Sequence, residues 1–179
     1  MEKIQVLDKQ FRPYIPEAEV KKRVAAMAAQ ISSDMEGRNP LFVAILNGAF
    51  VFAADLFRDI SVPAEISFVK VSSYMGTDTT GSVSDLIGLT EDIAGRTVIV
   101  VEDIVDTGLS MKHVLEMLQA KKPAEVRIAA LLLKPDKLEV PVNIDYCGFK
   151  IPNDFILGYG LDYDGYGRNL RDIYVLDTK

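Results

Sequence analysis

Val98-Ile-Val-Val-Glu-Asp-Ile-Val-Asp-Thr-Gly-Leu-Ser110 is the stretch on which the reading of this chain turns. Four consecutive β-branched residues predict a buried strand, and Thr107, Gly108 and Ser110 predict the opening of a helix. Three acids, Glu102, Asp103 and Asp106, stand between them. A helix start leaves backbone N–H groups unpaired and partly positive, which makes it a seat for phosphate. Acids beside such a seat need partners of their own. Adjacent carboxylates at a strand end repel each other, and a ribose relieves them with two hydroxyl donors, as does a bound Mg²⁺ with its charge. The stretch therefore predicts a ligand that is both sugar and phosphate, the sugar on Glu102 and Asp103 and the phosphate beyond them. A plain helix cap accounts for one of these side chains, but poorly for three acids with two hydroxyls. The glycine-rich loops of Walker and dinucleotide-binding proteins do not occur in the chain.

Outward from that stretch, strands and helices alternate. Val20, Val24, Met27 and Ile31 recur at helical spacing and predict a helix over Pro16–Glu36, with Gly37 as its stop. Leu41–Leu46 is a continuous apolar run, as in a strand covered on both faces. Asn47-Gly48 turns into a helix from about Ala49 to Arg58, and Glu65–Val71 reads as the next strand. Ser73 to about Glu91 is polar and reads as a long loop, of the length found in lids and binding loops. Thr97–Val101 reads as a strand, Leu109–Ala120 as a helix and Val126–Leu133 as a strand. After Pro135 the alternation gives way to short strands near Asp145–Gly148, Phe155–Gly158 and Ile173–Leu176. The expected fold is α/β: a mostly parallel sheet flanked by helices, with ligands outside the carboxyl ends of its strands.

The 179 residues read as a single domain over residues 1–179. The formal net charge of −6 argues against broad binding to nucleic acid or anionic membrane, both of which need basic surface. Cys147 is the one cysteine, so no internal disulfide forms, and it reads as a small structural apolar residue. His113, the one histidine, reads as part of a solvated helix face. No apolar run spans a bilayer and the amino terminus lacks a signal-peptide core, so the chain reads as cytoplasmic.

Val100-Val-Glu-Asp-Ile-Val-Asp-Thr-Gly-Leu-Ser110 resembles the phosphoribosyl-diphosphate motif of type I phosphoribosyltransferases. Gly148-Phe-Lys-Ile-Pro-Asn-Asp-Phe-Ile-Leu-Gly-Tyr-Gly-Leu-Asp-Tyr-Asp-Gly-Tyr-Gly-Arg168 is similar to the purine-binding segment of the hypoxanthine-guanine members. The resemblance implies a core of about 37–135, a mobile lid of about 73–91 beginning at Ser73-Tyr74, and a β-rich hood built mainly from about 136–179. It implies that Glu102 and Asp103 hold the ribose hydroxyls and that Asp106 is the general base or acid near purine N7. Thr107, Gly108, Leu109 and Ser110 hold the 5′-phosphate; Leu109 stands where the family often has Lys, a change that leaves backbone binding intact. Asn47, Gly48 and Ala49 match the pyrophosphate loop, with Asn47 in place of the family's basic residue, and Arg168 also contacts pyrophosphate. The resemblance further implies that Lys134 donates to the purine 6-oxo group, that Phe155 stacks on the base and that Ile156 presents backbone to its edge. It also implies that Asp162, with Glu102 and Asp103, holds Mg²⁺ directly or through water.

The implied activity is purine salvage. A phosphoribosyl group passes from phosphoribosyl diphosphate to hypoxanthine or guanine, giving IMP or GMP and pyrophosphate, in a homodimer or homotetramer. A xanthine-preferring enzyme is the alternative within this chemistry. A non-catalytic regulator of the same fold that senses phosphoribosyl compounds is the alternative outside it.

Overall fold

The structure, a computed structural model, describes residues 2–73 and 83–178. In chain order the elements are β1 (Ile4–Val6), β2 (Lys9–Ile15), α1 (Glu17–Asp34), β3 (Leu41–Leu46), α2 (Phe50–Arg58), β4 (Glu65–Ser73), β5 (Val83–Ile87), β6 (Thr97–Val105), α3 (Leu109–Ala120), β7 (Glu125–Leu133), a 3₁₀ turn (Pro135–Lys137), β8 (Tyr146–Lys150), β9 (Ile156–Leu157) and β10 (Ile173–Leu176).

The larger sheet has the order β5-β4-β3-β6-β7-β8. Its last five strands run parallel, and β5 pairs antiparallel with β4 at one edge. The chain enters at β3, steps to β4 on one side, then crosses back to β6 on the other. The carboxyl ends of β3 and β6 therefore border the point where the winding reverses, which in doubly wound sheets is the ligand-binding crevice.

The apolar runs alternate between two cores, as strands covered on both faces must. Phe42, Ala44, Ile99, Val101, Ala129 and Leu131 pack under α1 and α2, with Val24, Met27, Ile31, Phe52 and Leu56 from those helices. Val43, Ile45, Val98, Val100, Ile128 and Ala130 pack on the other face under Met111, Val114 and Leu118 of α3. Arg23 of α1 donates to the carbonyls of Cys147 and Gly148 at 2.5 and 2.9 Å, occupying acceptors of the edge strand β8. Cys147 is half-buried there, its thiol pushed up by burial, and His113 is half-buried on α3.

Three elements differ from the sequence expectation. β6 continues four residues past Val101 because Glu102, Ile104 and Val105 stay in register with Ala130, Leu132 and Leu133 of β7, so the two adjacent acids sit on the strand itself. The span from Ser73 to Glu91 is not one loop, since Val83–Ile87 folds back as an edge strand on β4. Residues 74–82, and with them Tyr74 of the expected lid, lie outside the described residues. The second, antiparallel sheet has the order β1-β2-β10-β9, so half of its strands come from residues 4–15. Composition around Pro13 and Pro16 concealed them: β2 carries its proline where it pairs with Tyr174, and pairing with β1 and the distant β10 makes that segment a strand.

Gly148 lets β8 approach β7 closely, since a Cβ there would overlap the backbone carbonyl of Leu131. Gly148→Ala should lower stability by about 1–3 kcal/mol, the usual effect of overfilling a packed site. Urea unfolding checks it; an unchanged midpoint would mean that the strands separate freely at this point.

Candidate active site

The opening motif builds a cradle from local geometry. Gly108 caps α3 in the left-handed conformation, φ 86°, and a Cβ there would lie 2.9 and 3.0 Å from methyls of Val140 and Val142. Only glycine meets both demands without strain. The Thr107 hydroxyl accepts from the Leu109 N–H at 3.3 Å, and the Thr107 carbonyl accepts from Glu139 N–H at 2.9 Å. Residues 138–142 thus brace the cradle from behind, and the start of α3 opens in front. A cavity of about 140 Å³ lies there, lined by Glu102, Asp103, Asp106, Thr107, Gly108 and Ser110 among others. Leu109 is exposed beside it.

Glu102 and Asp103 are both buried, at 8% and 9% exposure. Burial pushes the Glu102 carboxyl well above the ordinary range, and the neighbouring Asp103 charge adds to the shift. Burial also raises Asp103, against the opposing effect of its hydrogen bonds and of Arg168. Their own strand supplies part of their solvation: Asp103 N–H donates to Glu102 Oε1 at 3.1 Å and Ile104 N–H to Asp103 Oδ1 at 2.8 Å. Both carboxyls line the cavity, and they also hydrogen-bond each other.

Gly48 closes the back of this wall. A Cβ on it would overlap Asp103 Oδ2, and a Cβ on Gly160 would overlap the Gly48 carbonyl. The Leu46–Asn47 peptide bond before it is cis. Asn47 is exposed, Ala49 is buried, and neither they nor Gly48 line the two cavities described here. The turn expected to meet pyrophosphate is therefore, in this structure, the packing link between β3, Asp103 and the loop at Gly160.

A second cavity of about 220 Å³ adjoins the first through Asp103, Ile104 and Asp106. Lys134, Phe155, Ile156, Leu161 and Asp162 complete its lining. Four residues singled out in the sequence for a purine thus meet in one hollow, 28 positions of chain separating Lys134 from Asp162. Phe155 is 43% exposed, leaving its ring available to a ligand, and Lys134 is buried at 6%. Asp162 pairs with Arg168 at 2.8 Å and accepts from Gly165 N–H at 2.7 Å, while Arg168 donates to the Gly160 carbonyl at 2.7 Å. The two residues expected to serve metal and pyrophosphate are held to each other.

Asp106 sits between the cavities under two ammonium groups. Lys137 Nζ lies 2.9 Å from Oδ2 and 2.8 Å from Oδ1, and Lys134 Nζ lies 3.5 Å from Oδ2. Oδ1 is buried and accepts no well-angled hydrogen bond despite that proximity. Lys137 was missed in the sequence reading. Its signal was local: Pro135 starts a 3₁₀ turn, in which residues three apart line up on one side, so Lys134 and Lys137 share a direction. Ser73 ends β4.

Among the described residues no group of three or more His, Cys, Asp or Glu side chains is gathered as a metal cage. Asp103 and Asp162 do line one cavity, with Glu102 next in line. One or two carboxylates with room for water and substrate oxygens is the donor set that Mg²⁺ takes, so these residues fit that ion.

Comparison with known proteins agrees with this geometry. Residues 16–164 match the model of the phosphoribosyl transferase domain. A hypoxanthine phosphoribosyltransferase of Salmonella typhimurium is 43% identical over 159 residues, covering 87% of this chain and 89% of the relative. A hypoxanthine-guanine phosphoribosyltransferase of Mycobacterium bovis is 41% identical over 168 residues, covering 90% and 83%. The crystal structure of a hypoxanthine-guanine phosphoribosyltransferase from Bacillus anthracis superposes with a TM-score of 0.87 at 39% identity, covering 93% of this chain and 97% of that one. The chain belongs to the phosphoribosyltransferase family, with hypoxanthine-guanine phosphoribosyltransferases among its relatives.

Proposed function

We propose that this protein transfers the 5-phosphoribosyl group of phosphoribosyl diphosphate to N9 of hypoxanthine or guanine, releasing pyrophosphate and forming IMP or GMP. The observation that carries this reading is the joining of a phosphate cradle and an aromatic, lysine-bearing hollow through the shared residues Asp103, Ile104 and Asp106. A nucleoside monophosphate has the matching sequence of parts. Its phosphate goes to the amides and hydroxyls of Thr107–Ser110, its ribose hydroxyls to Glu102 and Asp103, and its base to the space between Phe155 and Lys134.

A 6-oxopurine suits that hollow better than adenine. The buried Lys134 ammonium needs acceptors, a 6-oxo group is one, and a 6-amino group is not. Phe155 offers a ring face to the base, and the backbone of Ile156 meets its edge. As N9 bonds to C1′, the purine must lose a ring N–H proton, and Asp106 at the N7 side accepts it. Lys134 and Lys137 keep that carboxylate oriented until the base arrives. When bound, Mg²⁺ on Asp162 or the Glu102–Asp103 pair, directly or through water, supplies charge neutralisation for the departing pyrophosphate. Arg168 presents a planar donor fork to the same leaving group. The Ser73–Glu91 span, beginning at Ser73-Tyr74, serves as a lid that excludes water from the activated sugar. Assembly as a homodimer or homotetramer and a cytoplasmic location belong to the same proposal.

Steady-state kinetics with hypoxanthine, guanine, xanthine and adenine, with and without Mg²⁺, test it. Metal-dependent pyrophosphate release with the first two bases is expected; xanthine as the preferred base would redirect the assignment. No release with any base would favour a phosphoribosyl-compound sensor. Asp106→Asn should lower kcat by about 10²–10⁴ while changing donor binding far less, and wild-type turnover in that variant would remove Asp106 from proton transfer.

The Glu102 carboxyl makes a second prediction. Its pKa is raised in the folded protein, so the stability it contributes is complete below its ordinary 4.5 and is lost as pH rises through the folded value. Glu102→Gln cannot ionise and keeps an acceptor for the Asp103 N–H. The ligand-free variant should melt above wild type at about pH 8, with the gap closing toward about pH 4, while binding ribose 5-phosphate more weakly. Equal melting curves across that range would show that the buried pair is not strained.

A further inference from the structure

Phe155, the ring assigned to the base, stands in an exposed turn where little of its own segment holds it. Its backbone is tied, since its carbonyl accepts from the Leu176 N–H at 2.8 Å. Its ring is held from elsewhere. Phe11 of β2 lies 6.2 Å from it, centroid to centroid, and Tyr163 meets it edge to face at 5.7 Å and 84°. Phe11 and Tyr163 also touch, at 6.2 Å, so the three rings form a closed triangle with Phe11 fully buried. These separations are those of favourable aromatic pairs.

Tyr163 is in turn fastened from the far end of the chain. Its hydroxyl donates to Asp8 Oδ1 at 2.8 Å, across 155 positions of sequence, and Lys9 Nζ lies 5.2 Å from its ring centroid. Asp8 and Lys9 belong to the turn and first residue of the β1–β2 hairpin, which pairs through β2 with β10. The hairpin therefore reaches the purine hollow along two routes, Phe11 directly and Asp8 with Lys9 through Tyr163.

We propose that the amino-terminal hairpin is a functional part of the base site: Asp8 and Lys9 clamp Tyr163, Tyr163 with Phe11 fixes the Phe155 ring, and the fixed ring raises affinity for the purine. Asp8, Lys9 and Tyr163 are positioning residues and touch no substrate. This rests on the reading of the hollow as a purine site. The physical reason is preorganisation. A ring already held in its binding orientation loses less freedom when the base stacks on it, and that saving appears as affinity for the base alone. The phosphate cradle on α3 is built from other elements and should not respond.

Equilibrium titration of the whole protein with IMP and with ribose 5-phosphate separates the two parts of the ligand. Tyr163→Phe keeps the ring and removes its hydroxyl; Asp8→Ala removes the acceptor. Each should weaken IMP by about three- to tenfold, leave ribose 5-phosphate unchanged, and add little in the double variant, because both break one bond. IMP affinity unchanged in both single variants would overturn the proposal, as would equal weakening of IMP and ribose 5-phosphate, which would mean general loosening. Wild-type protein that binds IMP no tighter than ribose 5-phosphate would instead overturn the purine reading beneath it, a failure visible before any variant is made.

Discussion

Two carboxylates buried side by side at the end of β6 are the constraint around which the rest of this site is arranged. Glu102 and Asp103 are removed from water on a strand whose preceding residues, Val98 to Val101, are fully buried. Burying a charge without full partners is among the most expensive things a fold can do. Here the partners inside the protein are two backbone N–H groups, the hydrogen bond that the two carboxyls share and the influence of Arg168. The site is thereby poised for a ligand with hydroxyl donors or a bound cation. Gly48 is required because Asp103 already occupies the space a side chain would fill, and Gly160 because the Gly48 carbonyl does.

The same strand end separates the roles of three acids that look alike in sequence. Glu102 and Asp103 are in the sheet, each accepting a hydrogen bond from the N–H of the next residue. Asp106 is past it, in the cradle, with two lysines from the Pro135 turn over it. A carboxylate under two ammonium groups is oriented by them, whereas the burial of Glu102 holds its carboxyl toward neutrality. Position along five residues is enough to produce both because the strand ends between them.

Much of this was legible in the chain. Leu41–Leu46 and Leu109–Ala120 have the bounds read from their patterns, because an unbroken apolar run and a helical repeat are local signals. Lys134, Phe155 and Asp162 were singled out by motif and do share a cavity. The misses share one physical origin. β6 runs on to Val105 because β7 pairs with it, β5 exists because β4 offers an edge, and the short β1 and β2 exist because β10 completes their sheet. Strand pairing is a property of two segments, and a single segment does not display it.

What the sequence by itself determined is the chemistry offered: three acids, a left-handed glycine and two hydroxyls in one run, and the alternating pattern that puts this run at a strand's carboxyl end. Those depend on neighbours within a few residues, where steric and hydrogen-bonding preferences act directly. Only the tertiary structure decided that Lys137 covers Asp106, that Gly48 packs on Asp103, and that Asp8 reaches Tyr163 from the opposite end of the chain. These contacts arise when sheets close and loops are laid over one another, so distance in space, unlike distance along the chain, selects them.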